Sequence, residues 1–148
     1  MPDGDGNALG ELYQELILDH YRRPRNQGAL EAHTRRVSLA NPVCGDELEL
    51  DLLLDGDTIT DVRFSGHGCS ISQASASMMT QLIKGRTVAE ARKLAARFSE
   101  MLHGSAEASR DRALGEARAL AGVARFPVRV KCALLGWNAL EEGTKPQR

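Results

Sequence analysis

The clearest alternation in the chain runs through "ELELDLLL", Glu47 to Leu54, where Leu48, Leu50, Leu52 and Leu54 share one side of an extended strand and mostly acidic residues share the other. The turn "DGD" and the stretch "TITDVRF" follow, so the pattern predicts a β-hairpin centred near Gly56. Antiparallel pairing about that centre brings Cys44 and Cys69 together at the hairpin's open end. Upstream, "RRVSLA" alternates more weakly, with Val37 and Leu39 on one side, and predicts a short strand.

Elsewhere the period is helical. Leu9, Leu12, Leu16, Ile17 and His20 predict a first helix that stops before Pro24. In "SISQASASMMTQLIK", Ser70 and Gln73 fit a capping box, and Ile71, Ala74, Ser75, Met78 and Leu82 form the stripe behind it. Thr87 and Glu90 repeat that grammar before a helix whose inward residues are Val88, Ala91, Ala95, Phe98 and Leu102, with Gly104 ending it. The segment from Ser105 to Arg125 is rich in Ala, Arg and Glu with interrupting glycines, and reads as a loop plus a short helix without evident chemistry. Pro127 suits the first position of a last helix with the stripe Val130, Ala133, Leu134, Trp137 and Leu140. At about 100° per residue, Cys132 falls off that stripe and does not read as a core cysteine.

Composition narrows the partners. The chain has 148 residues, 42% of them hydrophobic and 26% charged, with a formal net charge of -1. It lacks the Lys and Arg excess of nucleic-acid binding proteins, any apolar run long enough to span a membrane, and the basic, apolar start of a secretion signal. A cytoplasmic protein of one domain is expected, with no membrane and no nucleic-acid partner. In a reducing compartment Cys44, Cys69 and Cys132 stay as thiols.

An unpaired cysteine in such a protein is usually a small buried hydrophobe. Position argues otherwise here. Cys44 lies on the irregular stretch "NPVCGD" with Asp46 two residues on, Cys69 just ahead of a helix, and Cys132 in another helix's first turn. Three thiolates and one carboxylate suit zinc, which also solves a chemical problem: a free thiol is mostly protonated at neutral pH, and a metal removes the proton. His67, between two glycines, rivals Asp46 for the fourth position. Arg129 and Lys131, beside Cys132, can offset the negative charge of such a site. His20 reads as a packed, hydrogen-bonded ring, and His33 and His103 as exposed. Arg22, Arg23 and Arg25 form a small basic patch that is either a solvated loop or part of a partner surface.

Together "LYQELILDHYRRPRN", "NPVCGD", "GHGCSISQASASMM" and "FPVRVKCALLGWNAL" resemble the IscU-like family of iron-sulfur assembly proteins (the NifU N-terminal family), and within it the SufU-type branch. Scaffolds of that family carry a histidine just before the last cysteine, where this chain has Lys131. Residues 105–122 resemble an insertion typical of the SufU branch.

The resemblance implies a single α+β domain over residues 1–148, a small antiparallel three-stranded sheet with helices packed against it. It implies zinc on Cys44, Asp46, Cys69 and Cys132, favouring Asp46 over His67. It also implies a zinc-dependent sulfurtransferase that takes persulfide sulfur from a SufS-type cysteine desulfurase and passes it to the SufBCD machinery. Cys44, on a movable loop, is the expected sulfur acceptor, with Arg129 and Lys131 balancing charge. Two alternatives stand beside this: a scaffold assembling iron as a [2Fe-2S] cluster on the same cysteines, and a binding module whose zinc is structural.

Overall fold

Leu48, Leu50 and Leu52 are almost wholly buried on one face of the central strand of a three-stranded antiparallel sheet, as their alternation predicts. A computed structural model describes residues 3–146. The elements run α1 (Asp3–Arg22), β1 (Arg35–Asn41), β2 (Asp46–Asp55), β3 (Thr58–His67), α2 (Ser70–Ile83), α3 (Val88–Leu102), α4 (Ala106–Ser109), a 3-10 run (Arg112–Arg125) and α5 (Pro127–Gly143). The expected hairpin is β2 and β3, closed at Asp55–Thr58 around Gly56 and Asp57, with one register irregularity between Leu53 and Leu54. The weaker strand is also present as β1, reaching Asn41, which pairs with Asp46. The side chains of Leu9 and Leu12, expected on the first helix's stripe, lie outside the described residues.

The sheet's apolar face packs on helices α2 and α5, where burial of each large aliphatic side chain contributes roughly 1.5–3 kcal/mol. Phe98 of α3 stacks on Trp137 of α5, ring centroids 4.6 Å apart. On the other face, Asp51 is buried. It receives Arg36 Nε at 2.7 Å and Nη2 at 2.8 Å, and the Leu30 N–H at 2.9 Å. The Arg36 guanidinium holds the Asp51 carboxyl below the usual carboxylate range.

Three expectations change. Helix α2 is buried continuously from Ser72 to Thr80 rather than along one stripe. Its run of Ala and Ser lets neighbours come close from several sides: a Cβ on Gly136 of α5 would lie 3.3 Å from the Ala76 Cβ. The Ser70–Gln73 capping box does not form, because Cys69 is the N-cap and its N–H is already taken by Asp46 Oδ1 at 2.8 Å. Gln73 Nε2 is left buried without a partner. The segment that reads as a loop plus a short helix contains the short α4 and then the 3-10 run, kinked at Gly115, which buries Leu114, Ala117, Leu120 and Val123. Its spacing of three residues per turn hides from a search at helical period. The second capping box is present in full, with Glu90 N–H donating to Thr87 Oγ1 at 3.1 Å and Thr87 N–H to Glu90 Oε1 at 2.9 Å.

His20 is wholly buried, as its place on the first helix's stripe predicts. Its Nδ1 lies 2.7 Å from Ser77 Oγ of α2 and its Nε2 2.7 Å from Glu116 Oε1 of the 3-10 run. The Ser77 hydroxyl also accepts the Arg25 N–H at 2.8 Å. The Glu116 carboxylate can only accept, so Nε2 carries a proton toward it, and in the neutral ring Nδ1 then accepts the Ser77 hydroxyl. His33 and His103 are exposed. In the basic patch, Arg23 and Arg25 both pair with Asp19, while Arg22 is exposed.

Candidate metal centre

The irregular stretch around Cys44 is a four-residue connection between β1 and β2, closed by the pair Asn41–Asp46. The Cys44 N–H donates to Asn41 O at 3.2 Å, a turn with Pro42 at the position that its fixed φ favours. Gly45 then takes φ +72°, a left-handed conformation that glycine adopts without strain, and returns the chain to β2. This geometry lifts Cys44 to the tip of the loop and sets Asp46, wholly buried, at the first position of the strand.

From the other end of the hairpin, Gly68 brings Cys69 to the start of α2. A Cβ on Gly68 would lie 2.7 Å from Ser72 Oγ and run into Asp46 Oδ1, so the close approach requires glycine. Asp46 is thereby used twice. Oδ1 accepts the Cys69 N–H at 2.8 Å, and Oδ2 faces the Cys69 sulfur at 4.0 Å.

Cys132 enters from the second turn of α5, one turn later than the sequence suggested, because the helix begins at Pro127. It is wholly buried, contrary to the expectation from its angular position, because α5 is enclosed by the sheet on one side and by α2, α3 and the 3-10 run on others. The Asn41 side chain lies 3.9 Å from its sulfur. Its thiol stands 2.8 Å from the Cys44 sulfur.

One ligand atom each from Cys44, Asp46 and Cys132 lies within 4.8 Å of the other two. Cys69 borders this set through Asp46 without belonging to it. His67, the rival ligand, points outward with its side chain 73% exposed, 3.8 Å from Glu47. Burial and the neighbouring Cys44 and Asp46 push the Cys132 thiol well above its ordinary pKa. The nearby Cys69 and Cys132 sulfurs in turn raise the pKa of Arg129. Lys131 lines a surface hollow with Leu102, His103 and Leu134. Sulfur donors beside a carboxylate, in a pocket that penalises uncompensated negative charge, fit a borderline-soft divalent cation.

Sequence reasoning missed Asn41, Gly68 and Ser72, which hold the donors in place. Asn41 and Gly68 lie inside the stretches that carry Cys44 and Cys69, so the signal was turn chemistry beside a ligand. Around the centre, Val43, Phe126 and Val128 are exposed by 55–68%. Among the described residues, no helix is long and apolar enough to cross a membrane.

Residues 12–133 match the NifU-like N terminal domain. The chain is 49% identical over 135 residues to the zinc-dependent sulfurtransferase SufU of Bacillus subtilis strain 168, covering 91% of this chain and 90% of that protein. It is 47% identical over 139 residues to the iron-sulfur cluster assembly scaffold protein IscU of Streptococcus pyogenes serotype M1, covering 94% and 86%. A crystal structure of a SUF-system assembly scaffold protein from Fervidobacterium islandicum AW-1 superposes with a TM-score of 0.83 at 38% identity, covering 91% and 98% of the two chains.

Proposed function

Because this chain belongs to the NifU-like N terminal domain family, we propose that it works in iron-sulfur cluster assembly as a zinc-dependent sulfurtransferase. Cys44 accepts persulfide sulfur from a SufS-type cysteine desulfurase and delivers it toward the SufBCD machinery. One observation carries this reading: of the two sulfurs in the close set, Cys44 is partly exposed on a loop whereas Cys132 is wholly buried in a helix. The similarity to a protein named as a zinc-dependent sulfurtransferase supports it.

Cys44, Asp46, Cys69 and Cys132 would hold the zinc, which when bound supplies the positive charge that keeps the thiols deprotonated. The Cys44 thiolate attacks the outer sulfur of the donor persulfide. A sulfur–sulfur bond forms at Cys44, the donor's own sulfur–sulfur bond breaks, and the electron pair leaves on the desulfurase cysteine as thiolate. Asp46 stays in register throughout, because its Oδ1 is anchored on the Cys69 N–H. Arg129 offsets the charge at the sulfurs, whereas Lys131, lining a hollow with Leu102 and Leu134, takes no part in that balance. The exposed Val43, Phe126 and Val128 offer an apolar rim to a docking partner.

The deciding experiment replaces Cys44 by alanine and follows sulfur release by the desulfurase. Stimulation is expected to vanish, and undiminished stimulation would overturn the acceptor role. The scaffold reading draws on the similarity to a protein named as an assembly scaffold. Anaerobic purification separates the two: bound zinc supports transfer, and a coloured, iron-containing protein supports the scaffold.

A further inference from the structure

We propose that Cys132 is a resolving thiol: in the metal-free protein it attacks a persulfide carried on Cys44 and discharges the sulfur as sulfide. The step rests on the reading of Cys44 as a sulfur carrier. The two sulfurs lie 2.8 Å apart, already inside ordinary van der Waals contact. Cys44 is partly exposed and Cys132 wholly buried. A sulfur added to Cys44 has room on the solvent side, while Cys132 stays in contact with the inner sulfur. Cys69 has no such placement, since its sulfur neighbours Asp46 Oδ2 at 4.0 Å and stands outside the close set.

The balance needs no outside oxidant. The Cys132 sulfur bonds to the Cys44 sulfur as the bond from Cys44 to its outer sulfur breaks. The Cys132 proton passes to the Asp46 carboxylate beside it, the outer sulfur takes the electron pair and a proton from water on its exposed side and departs as hydrogen sulfide, and a Cys44–Cys132 disulfide remains. The persulfide is reduced and the two cysteines are oxidised by the same two electrons. Held as a metal ligand, Cys132 has no free thiol to offer. The metal site then acts as a safety catch that separates carrying sulfur from spilling it.

The test loads metal-stripped and zinc-bound protein with inorganic polysulfide and follows intact mass, free sulfide and the disulfide map. Metal-stripped wild type is expected to lose its added sulfur with one sulfide per chain and to gain a Cys44–Cys132 bond. Zinc-bound wild type and metal-stripped Cys132→Ser are expected to keep the sulfur at least about tenfold longer, because the attacking thiol is no longer positioned. Equal lifetimes in the metal-stripped wild type and the Ser variant, or no uptake of polysulfide sulfur at Cys44, would overturn the proposal. Circular dichroism checks that the Ser variant folds, and the wild-type map decides by itself: a Cys44–Cys69 bond, or none, also overturns it. A parallel arm with the desulfurase as donor to zinc-bound protein tests the acceptor reading separately, and its failure leaves the polysulfide arms readable.

Discussion

At the residue scale, Gly68 shows how little room the centre leaves. A side chain there collides with the Asp46 carboxylate and the Ser72 hydroxyl together, so Gly68→Ala must push Asp46 away from the sulfurs or move the start of α2. Zinc affinity is expected to fall about 10- to 100-fold, as for changes to groups that orient ligands. Competition against a chromophoric chelator measures it, and unchanged affinity would count against Asp46 as a ligand. Cys44 and Asp46 were legible in the sequence because a Pro/Gly turn leaves no packing reason for a thiol. The burial of Cys132 was not legible. A stripe identifies the face toward one neighbour, and α5 has neighbours on most sides.

Elements differ in how much local chemistry holds them. Helix α3 carries its own start signal in the Thr87–Glu90 box, which was readable in sequence because both partners belong to one turn. Thr87→Ala is expected to lower stability by about 1 kcal/mol, read from a denaturant midpoint, with metal binding unchanged. Helix α2 takes its first N–H partner from Asp46, 23 residues earlier. No motif search within one segment finds a cap supplied by another strand. The buried serines of α2 also need hydrogen-bond partners. Ser75 Oγ donates to Ala133 O at 2.6 Å and accepts Trp137 Nε1 at 3.2 Å, Ser72 Oγ donates to Cys69 O at 3.1 Å, and Ser77 Oγ bonds His20 Nδ1 at 2.7 Å.

Over the whole molecule, buried and bridging carboxylates set the response to acid. Arg36 holds the Asp51 carboxyl below its usual range, and Arg97 does the same for Asp111. A depressed carboxyl contributes stability that is present above its ordinary pKa of about 4. That contribution is lost as pH falls through the lowered value. The urea midpoint is therefore expected to hold through neutral pH and drop below about pH 4, and to drop less steeply in Asp51→Asn. An equal slope in the variant would remove Asp51 from the account. A second prediction concerns the rim: Phe126→Ser is expected to weaken association with the desulfurase about tenfold, as loss of an interface aromatic does, while zinc content stays the same. Calorimetric titration of the two proteins checks it. The hairpin was legible from its alternation and the DGD turn, whereas the three-stranded sheet as a whole came from the family resemblance. The contacts of the 3-10 run were not legible, since its partners lie on α1, α2, α3 and α5.

The Glu116–His20 pair gives that run an obligation beyond filling space. Its carboxylate is the acceptor for an imidazole with no exposure of its own, so trimming these residues would strand a ring proton in the interior. A shortened chain of this kind has to change position 20 as well, or recruit another oxygen from elsewhere, which ties the length of one segment to the identity of a residue almost a hundred positions upstream.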